Sequence, residues 1–258
     1  MTSMDYADKI SKLLQKAEST TPQEAEALRD KAYELMATYA VSQAEIDSRR
    51  TDKRVVEQII TRNINITGNF RHGLHLMSAA VVNAFETMSS YYTPDTDIPI
   101  RSTDGSKVRF AKAHIFYIVG YESDVEQAML MVTSLQLQAA AAMSDWWRTF
   151  AHKDLLGRGP AYRAKRQFII SFGSGAAQKI RLSVRRARAG ASSGAELVLF
   201  DKKQAVDRFI DDNLNLITKK DRHKGGTWEA GNAGYDAGQL ANTGDTGVGG
   251  DRKKRINS

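Results

Sequence analysis

The sequence predicts an α+β fold that is predominantly α-helical, and three observations lead to this prediction. Apolar residues recur at helical spacing over most of the chain. Two runs rich in β-branched residues, 55–61 (VVEQIIT) and 108–119 (VRFAKAHIFYIV), favour a small β element in the middle. A helical, basic C-terminal region follows them. With 258 residues, 41% of them hydrophobic, the chain is long enough to bury a sizeable core.

Residues 1–48 are expected to form a helical hairpin module. An apolar stripe predicts a first helix, and its members are Ile10, Leu13, Leu14 and Ala17. The segment 21–24 (TPQE) has the form of a capping box with proline at the first helical position, which predicts the start of a second helix. The charged segment 49–54 is the expected linker to the next region.

Residues 55–155 are expected to form a central αβ region. We predict a helix at 72–88, and a long helix from a capping pattern at 123–126 to about residue 150. A turn region is predicted between them from the clustering of Pro94, Asp95, Asp97 and Pro99. The long helix is apolar on most sides, which is typical of a helix in a core or at a subunit interface.

A basic helical region at 158–241 and a disordered basic tail at 242–258 complete the predicted organisation. A helix is predicted over 161–189, with an apolar stripe that includes Phe168, Phe172 and Ile180. Gly173 and Gly175 interrupt it and predict close helix packing or a kink. Small residues that recur every four positions over 230–241 predict a helix that another backbone can approach closely.

The charge distribution predicts a partner. Between residues 155 and 195 the chain has nine Lys or Arg and no Asp or Glu, a local charge of +9 against +7 for the whole protein. Such a concentration attracts polyanions, and arginine binds phosphate through two parallel N–H bonds. We therefore predict binding to the phosphate backbone of DNA or RNA by eight cations: Arg163, Lys165, Arg166, Lys179, Arg181, Arg185, Arg186 and Arg188. The alternative is a solvated helix face.

Two other features bear on nucleic-acid binding. Trp146, Trp147 and Tyr162 have rings that could stack on bases, but burial at the helix ends is the favoured interpretation. The N-terminal hairpin has the size of a helix-turn-helix, yet its second helix is mainly acidic and would be repelled by DNA. The hairpin is therefore interpreted as a protein-contact module.

No metal site, cofactor or catalytic residue is predicted, so an enzyme is not the favoured class. The chain has no cysteine. His72 and His75 have a spacing found among metal ligands, but with no third ligand nearby in sequence they are interpreted as an ordinary helix start. His114 is interpreted as a core or interface histidine. Three acidic residues are interpreted as parts of a polar turn: Asp95, Asp97 and Asp104.

The run 9–46 (KISKLLQKAESTTPQEAEALRDKAYELMATYAVSQAEI) closely resembles the N-terminal module of a domain-of-unknown-function family numbered 2786. That family occurs in bacteria, notably actinobacteria, and in their phages. Three later segments, 119–135, 162–182 and 231–241, look like the region that commonly follows this module. The resemblance implies a recurring architecture and a bacterial or phage origin, and it implies neither an activity nor catalytic residues.

Together these patterns predict a non-catalytic, nucleic-acid-associated accessory protein in the cytoplasm. We expect a protein partner at the N-terminal hairpin, or a homo-oligomer. The alternative is a protein-interaction or assembly component, an oligomeric adaptor with no nucleic-acid role. Its two candidate interfaces are the apolar helix 125–143 and the small-residue helix 230–241. No membrane association is expected, because no stretch approaches the roughly 20 apolar residues that span a bilayer and the N-terminus does not have the form of a signal peptide.

Overall fold

The computed structural model describes residues 57–101, 108–189, 193–217 and 224–241, together with Lys12, Leu13, Lys16, Leu28, Lys31 and Leu35. Within the described ranges from residue 57 onwards, five α-helices accompany a small antiparallel sheet of three strands. The predominantly helical α+β fold is thus confirmed. None of these helices combines the length and the apolar character needed to cross a membrane.

The sheet has the order β1-β3-β2, with strands β1 (Ile59–Thr67), β2 (Ser89–Arg101) and β3 (Val108–Tyr121). Strand β3 lies in the centre because it is the most apolar of the three strands and is rich in β-branched and aromatic residues. Alternate residues of β3 turn Phe116 and Ile118 towards the core. The predicted turn region at 94–99 is wrong, since Pro94 and Pro99 belong to β2. Proline is tolerated there because β2 is an edge strand.

Five helices follow the strands or lie between them. They are α1 (Arg71–Asn83), α2 (Glu122–Thr149), α3 (Arg158–Ala189), α4 (Ser193–Asn213) and α5 (Trp228–Leu240), with a short 3-10 turn at Lys153–Leu155. Helix α1 ends before the predicted residue 88, and Glu86 beyond it has a left-handed φ of +64°. The long helix predicted to end at about residue 150 is confirmed as α2.

One hydrophobic core joins the sheet to α1, α2 and α3. Its largest fully buried side chains include Phe116 of β3, Met77 of α1, Leu135 of α2, and Phe168 and Phe172 of α3. Burial of each such side chain contributes about 1.5–3 kcal/mol. The central αβ region and the basic helix therefore share a single core.

Glycines allow α3 and α5 to pack backbone against backbone. A Cβ atom added at Gly234 would lie 2.2 Å from the carbonyl oxygen of Phe168, and one at Gly238 would lie 2.1 Å from that of Phe172. On the facing helix, a Cβ atom at Gly175 would lie 2.2 Å from the carbonyl oxygen of Tyr235. The predicted close approach of these small-residue segments is confirmed, and it is an intramolecular contact.

Six residues of the predicted N-terminal hairpin are described, and all six are helical. Leu13 and Leu35 pack against the core that the sheet and helices share. The tail predicted at 242–258, the linker at 49–54 and Asp104 lie outside the described residues.

We expect Gly234→Ala to lower the free energy of unfolding by about 1–3 kcal/mol, the usual effect of overpacking a tight contact. The added methyl group meets backbone atoms, so α5 must move away from α3. Gly231→Ala is the matched control in the same helix, because a Cβ atom there would come no closer than 3.7 Å to a neighbour. That control should be neutral or more stable by about 0.5–1 kcal/mol. Urea unfolding measures the stability of both variants. Equal stability would contradict the close packing of α5 against α3.

Candidate functional site

Three histidines from two elements meet where helix α1 packs against strand β3. His72 and His75 lie three residues apart in α1 and so share one face of the helix, while His114 lies in β3. One ring nitrogen of each lies within 4.8 Å of those of the other two. His75 and His114 are 2% and 5% exposed, and His72 is half-buried at the edge. We call these three residues the histidine cluster.

The closest pair in the histidine cluster is His75 and His114. Their Nδ1 atoms are 3.0 Å apart, so the N–H of one ring donates a hydrogen bond to the other ring. Tyr92 of β2 stacks on His75 with ring centroids 4.0 Å apart. The two buried imidazoles are thus held in place by an aromatic ring and by each other.

A β-bulge in β2 brings Asp95 to His114. Positions 93 and 96 of β2 pair with positions 115 and 113 of β3, so Pro94 and Asp95 both lie opposite His114. Asp95 has a left-handed φ of +49°, which aspartate tolerates better than most residues. Its Oδ1 atom lies 3.8 Å from Nε2 of His114, the ring nitrogen that does not contact His75.

Arg71, the first residue of α1, holds this carboxylate in position. Its Nε and Nη2 atoms donate hydrogen bonds to Oδ1 of Asp95 at 3.1 and 2.7 Å. Hydrogen bonding to Arg71 lowers the pKa of Asp95 below its usual value, so the carboxylate is ionised at neutral pH. The start of α1 and the bulge of β2 are therefore joined beside the histidine cluster.

The interpretation of His72 and His75 as an ordinary helix start missed this cluster. His114 lies 39 residues after His75 and on a different element, so local spacing cannot reveal it. A signal was nevertheless present in the strand: His114 alternates with Phe116 and Ile118 and therefore lies on the face of β3 that packs into the core. A histidine on that face, together with a His pair on a helix, supplies three imidazole ligands, which is the number that zinc sites with an open fourth position use.

Among the eight predicted phosphate-binding cations, Lys179, Arg166 and Arg188 make direct polar contacts with named groups of the protein. Lys179 is 8% exposed and donates a 2.7 Å hydrogen bond to the carbonyl oxygen of Ala241. Arg166 is 4% exposed and donates to the carbonyl oxygen of Lys224. Arg188 forms an ion pair with Glu86, with 2.8 Å between Nη1 and Oε2. These three side chains therefore have structural roles.

The other five predicted cations lie on α3 with more exposure. Nζ of Lys165 lies 4.2 Å from the ring centroid of Trp147, and Arg163 is half-buried. Towards the end of α3, Arg181 is half-buried and Arg185 and Arg186 are exposed. We call these last three residues the distal arginines.

The aromatic residues that could stack on bases take part in packing. Trp146 packs against the core, with its ring centroid 5.1 Å from that of Phe168. Tyr162 stacks on Phe70 and donates a hydrogen bond to the carbonyl oxygen of Asn69. The last contact ties the start of α3 to the loop that leads into α1.

A second group of buried charges lies where α2 begins. Nζ of Lys202 lies 3.9 Å from a carboxylate oxygen of Glu57 and 3.9 Å from one of Asp124. Burial raises the pKa of Asp124, while the charge of Lys202 opposes the rise. Glu57 accepts a 2.6 Å hydrogen bond from the backbone N–H of Ser123. The carboxylate of Glu57, which precedes β1, thus caps the start of α2 in place of the capping pattern predicted at 123–126. Lys202 connects α4 to the same end of α2.

We expect Lys179→Met to lower the free energy of unfolding by roughly 1.5–3 kcal/mol, because it leaves the carbonyl oxygen of Ala241 without its charged donor. Arg185→Met removes the same charge from an exposed position of the same helix and should change stability by less than about 0.5 kcal/mol. Chemical denaturation measures the free energy of unfolding of both variants. A Lys179→Met protein as stable as the wild type would show that this cation is not structural.

Comparison with known protein families gives a match to the N-terminal part of the chain. Residues 6–43 match the model of a family described as a protein of unknown function, DUF2786. No curated protein and no solved structure matches the chain. The resemblance seen in the sequence is therefore confirmed for the N-terminal module, where residues 6–43 are similar to the DUF2786 family.

Proposed function

We propose that this protein binds the phosphate backbone of nucleic acid through the exposed cations of α3. The observation that carries the proposal is the composition of this helix. Its 32 residues, Arg158–Ala189, include nine Lys or Arg and no Asp or Glu. A helix of that length extends for roughly 48 Å, which is enough to follow several phosphates of one strand.

The proposal depends mainly on the cations of α3 that are most exposed. Arg166, Lys179 and Arg188 bind groups of the protein itself. The distal arginines, Arg181, Arg185 and Arg186, lie within two helical turns of one another near the end of α3. Two of them, Arg185 and Arg186, are exposed. Because none of these contacts would involve base edges, binding should show little dependence on sequence.

The test replaces all three distal arginines by glutamine and measures binding to labelled single- and double-stranded DNA and RNA across salt concentrations. The slope of log affinity against log salt should become shallower by roughly one unit for each phosphate contact that is lost. The loss should be uniform across sequences. A matched control triple, Arg62→Gln with Arg148→Gln and Arg208→Gln, removes the same charge from exposed positions on other elements.

Two outcomes would contradict the proposal. The first is that the wild-type protein does not bind any of the four nucleic acids at about 50 mM salt, where electrostatic binding is strong. The second is an equal loss of affinity in the two triple variants. Binding would then depend on the overall charge of the protein and not on a surface of α3.

For the alternative prediction, an oligomeric adaptor, the structure leaves one of the two candidate interfaces. One of its two candidate interfaces was the small-residue helix α5, and the structure packs that helix against α3 of the same chain. On the other, α2, Leu130 and Leu137 are 44% and 70% exposed. The adaptor function stays a prediction, and absence of nucleic-acid binding would favour it.

A further inference from the structure

We propose that His72, His75 and His114 form a binding site for a zinc-like divalent transition metal. Neutral imidazole is a common ligand for such ions, and three histidines are a known protein ligand set for zinc. The proposal is independent of nucleic-acid binding, because it involves none of the cations of α3.

The distances within the histidine cluster fit a single ion. Zinc binds histidine nitrogen at about 2.0–2.1 Å, so two ligands of a tetrahedral site are separated by roughly 3.3 Å. The Nδ1 atoms of His75 and His114 are 3.0 Å apart, and the three candidate nitrogens lie within 4.8 Å of one another. The contact between these two nitrogens would have to be replaced by two bonds to the ion, with loss of the hydrogen that lies between the rings. Small rotations of the rings would bring the third nitrogen, that of His72, to the same ion.

A carboxylate lies on the side of His114 where a metal-bound histidine has its outer partner. A metal-bound histidine usually directs its other ring nitrogen towards a carboxylate, which fixes the ring and makes it a better ligand. Nδ1 of His114 faces His75, and the Asp95 carboxylate lies 3.8 Å from the opposite nitrogen, Nε2. Arg71 holds that carboxylate with two hydrogen bonds. The bulge of β2 and the first residue of α1 therefore support the ring on the side away from the proposed ion.

The ligand set also indicates what kind of centre this is. Within the described part of the chain, the group that could hold an ion contains three residues, all histidine. A tetrahedral zinc ion takes four ligands, and sites with three protein ligands keep the fourth position for water or a bound molecule. Because His72 is the least buried of the three, we place that fourth position on the His72 side of the cluster.

The test measures Zn²⁺ binding to the metal-depleted full chain by isothermal titration calorimetry, and Co²⁺ binding by its visible absorption. We expect one ion per chain and a higher thermal unfolding temperature with Zn²⁺. Asp95→Asn should weaken affinity by roughly 10- to 100-fold, the usual effect of losing an outer partner of a metal-bound histidine. His72→Gln should weaken it more, because it removes a ligand.

The controls separate loss of a ligand from loss of the fold. His72 is half-buried and Asp95 exposed, so both variants should fold, which circular dichroism and thermal unfolding without metal would verify. His152→Gln removes an exposed histidine outside the cluster and should bind Zn²⁺ like the wild type. The proposal is overturned if the wild type binds no Zn²⁺, or if the folded His72→Gln and Asp95→Asn proteins bind it as tightly as His152→Gln does.

Discussion

Helix α3 packs closely against two other helices because glycine removes the Cβ atoms at the points of contact. On one side, a Cβ atom at Gly173 would lie 2.6 Å from the Cα atom of Met77 in α1. On the other, a Cβ atom at Gly175 would meet the backbone of α5. Helix α1 in turn lies between α3 and the sheet. The position of α1, and with it the distance from His75 to His114, therefore depends on a contact that one methyl group would disturb.

Part of the charge of α3 serves this packing. Arg166 binds the carbonyl oxygen of Lys224 just before α5, and Lys179 binds that of Ala241 just after it. The two cations are 13 residues apart on α3, about 20 Å at the helical rise, and α5 has the same length of 13 residues. They therefore bind both ends of α5, and Lys179 also lies at the end of that helix where the dipole favours a positive charge. The basic stretch thus combines residues that stabilise the fold with exposed residues, and composition alone cannot separate the two kinds.

Features that depend on local pattern were predictable from the sequence, and features that depend on pairing were not. The helical spacing in α2 and α3 and the four-residue recurrence of small residues in α5 predicted helices and close contacts that the structure confirms. Pro94 and Pro99 predicted a turn, because local propensity does not report that β3 supplies hydrogen bonds along one side of an edge strand. The histidine cluster was not predictable for the same reason. Its histidines lie on α1 and β3, and only the packing of α1 against β3 brings them together.

The arrangement around His114 is difficult to explain as core packing alone. Apolar side chains would fill the junction of α1 and β3 without the need to satisfy ring nitrogens, and burying polar groups is unfavourable unless each finds a partner. The hydrogen bond between His75 and His114 would satisfy one nitrogen of each ring. It leaves unexplained why β2 bulges, why Asp95 adopts a left-handed conformation, and why Arg71 fixes its carboxylate near the remaining nitrogen of His114. The proposed metal ion would account for the position of the carboxylate, because metal binding makes the ring a stronger hydrogen-bond donor at that nitrogen, and it would make the half-buried His72 a third ligand.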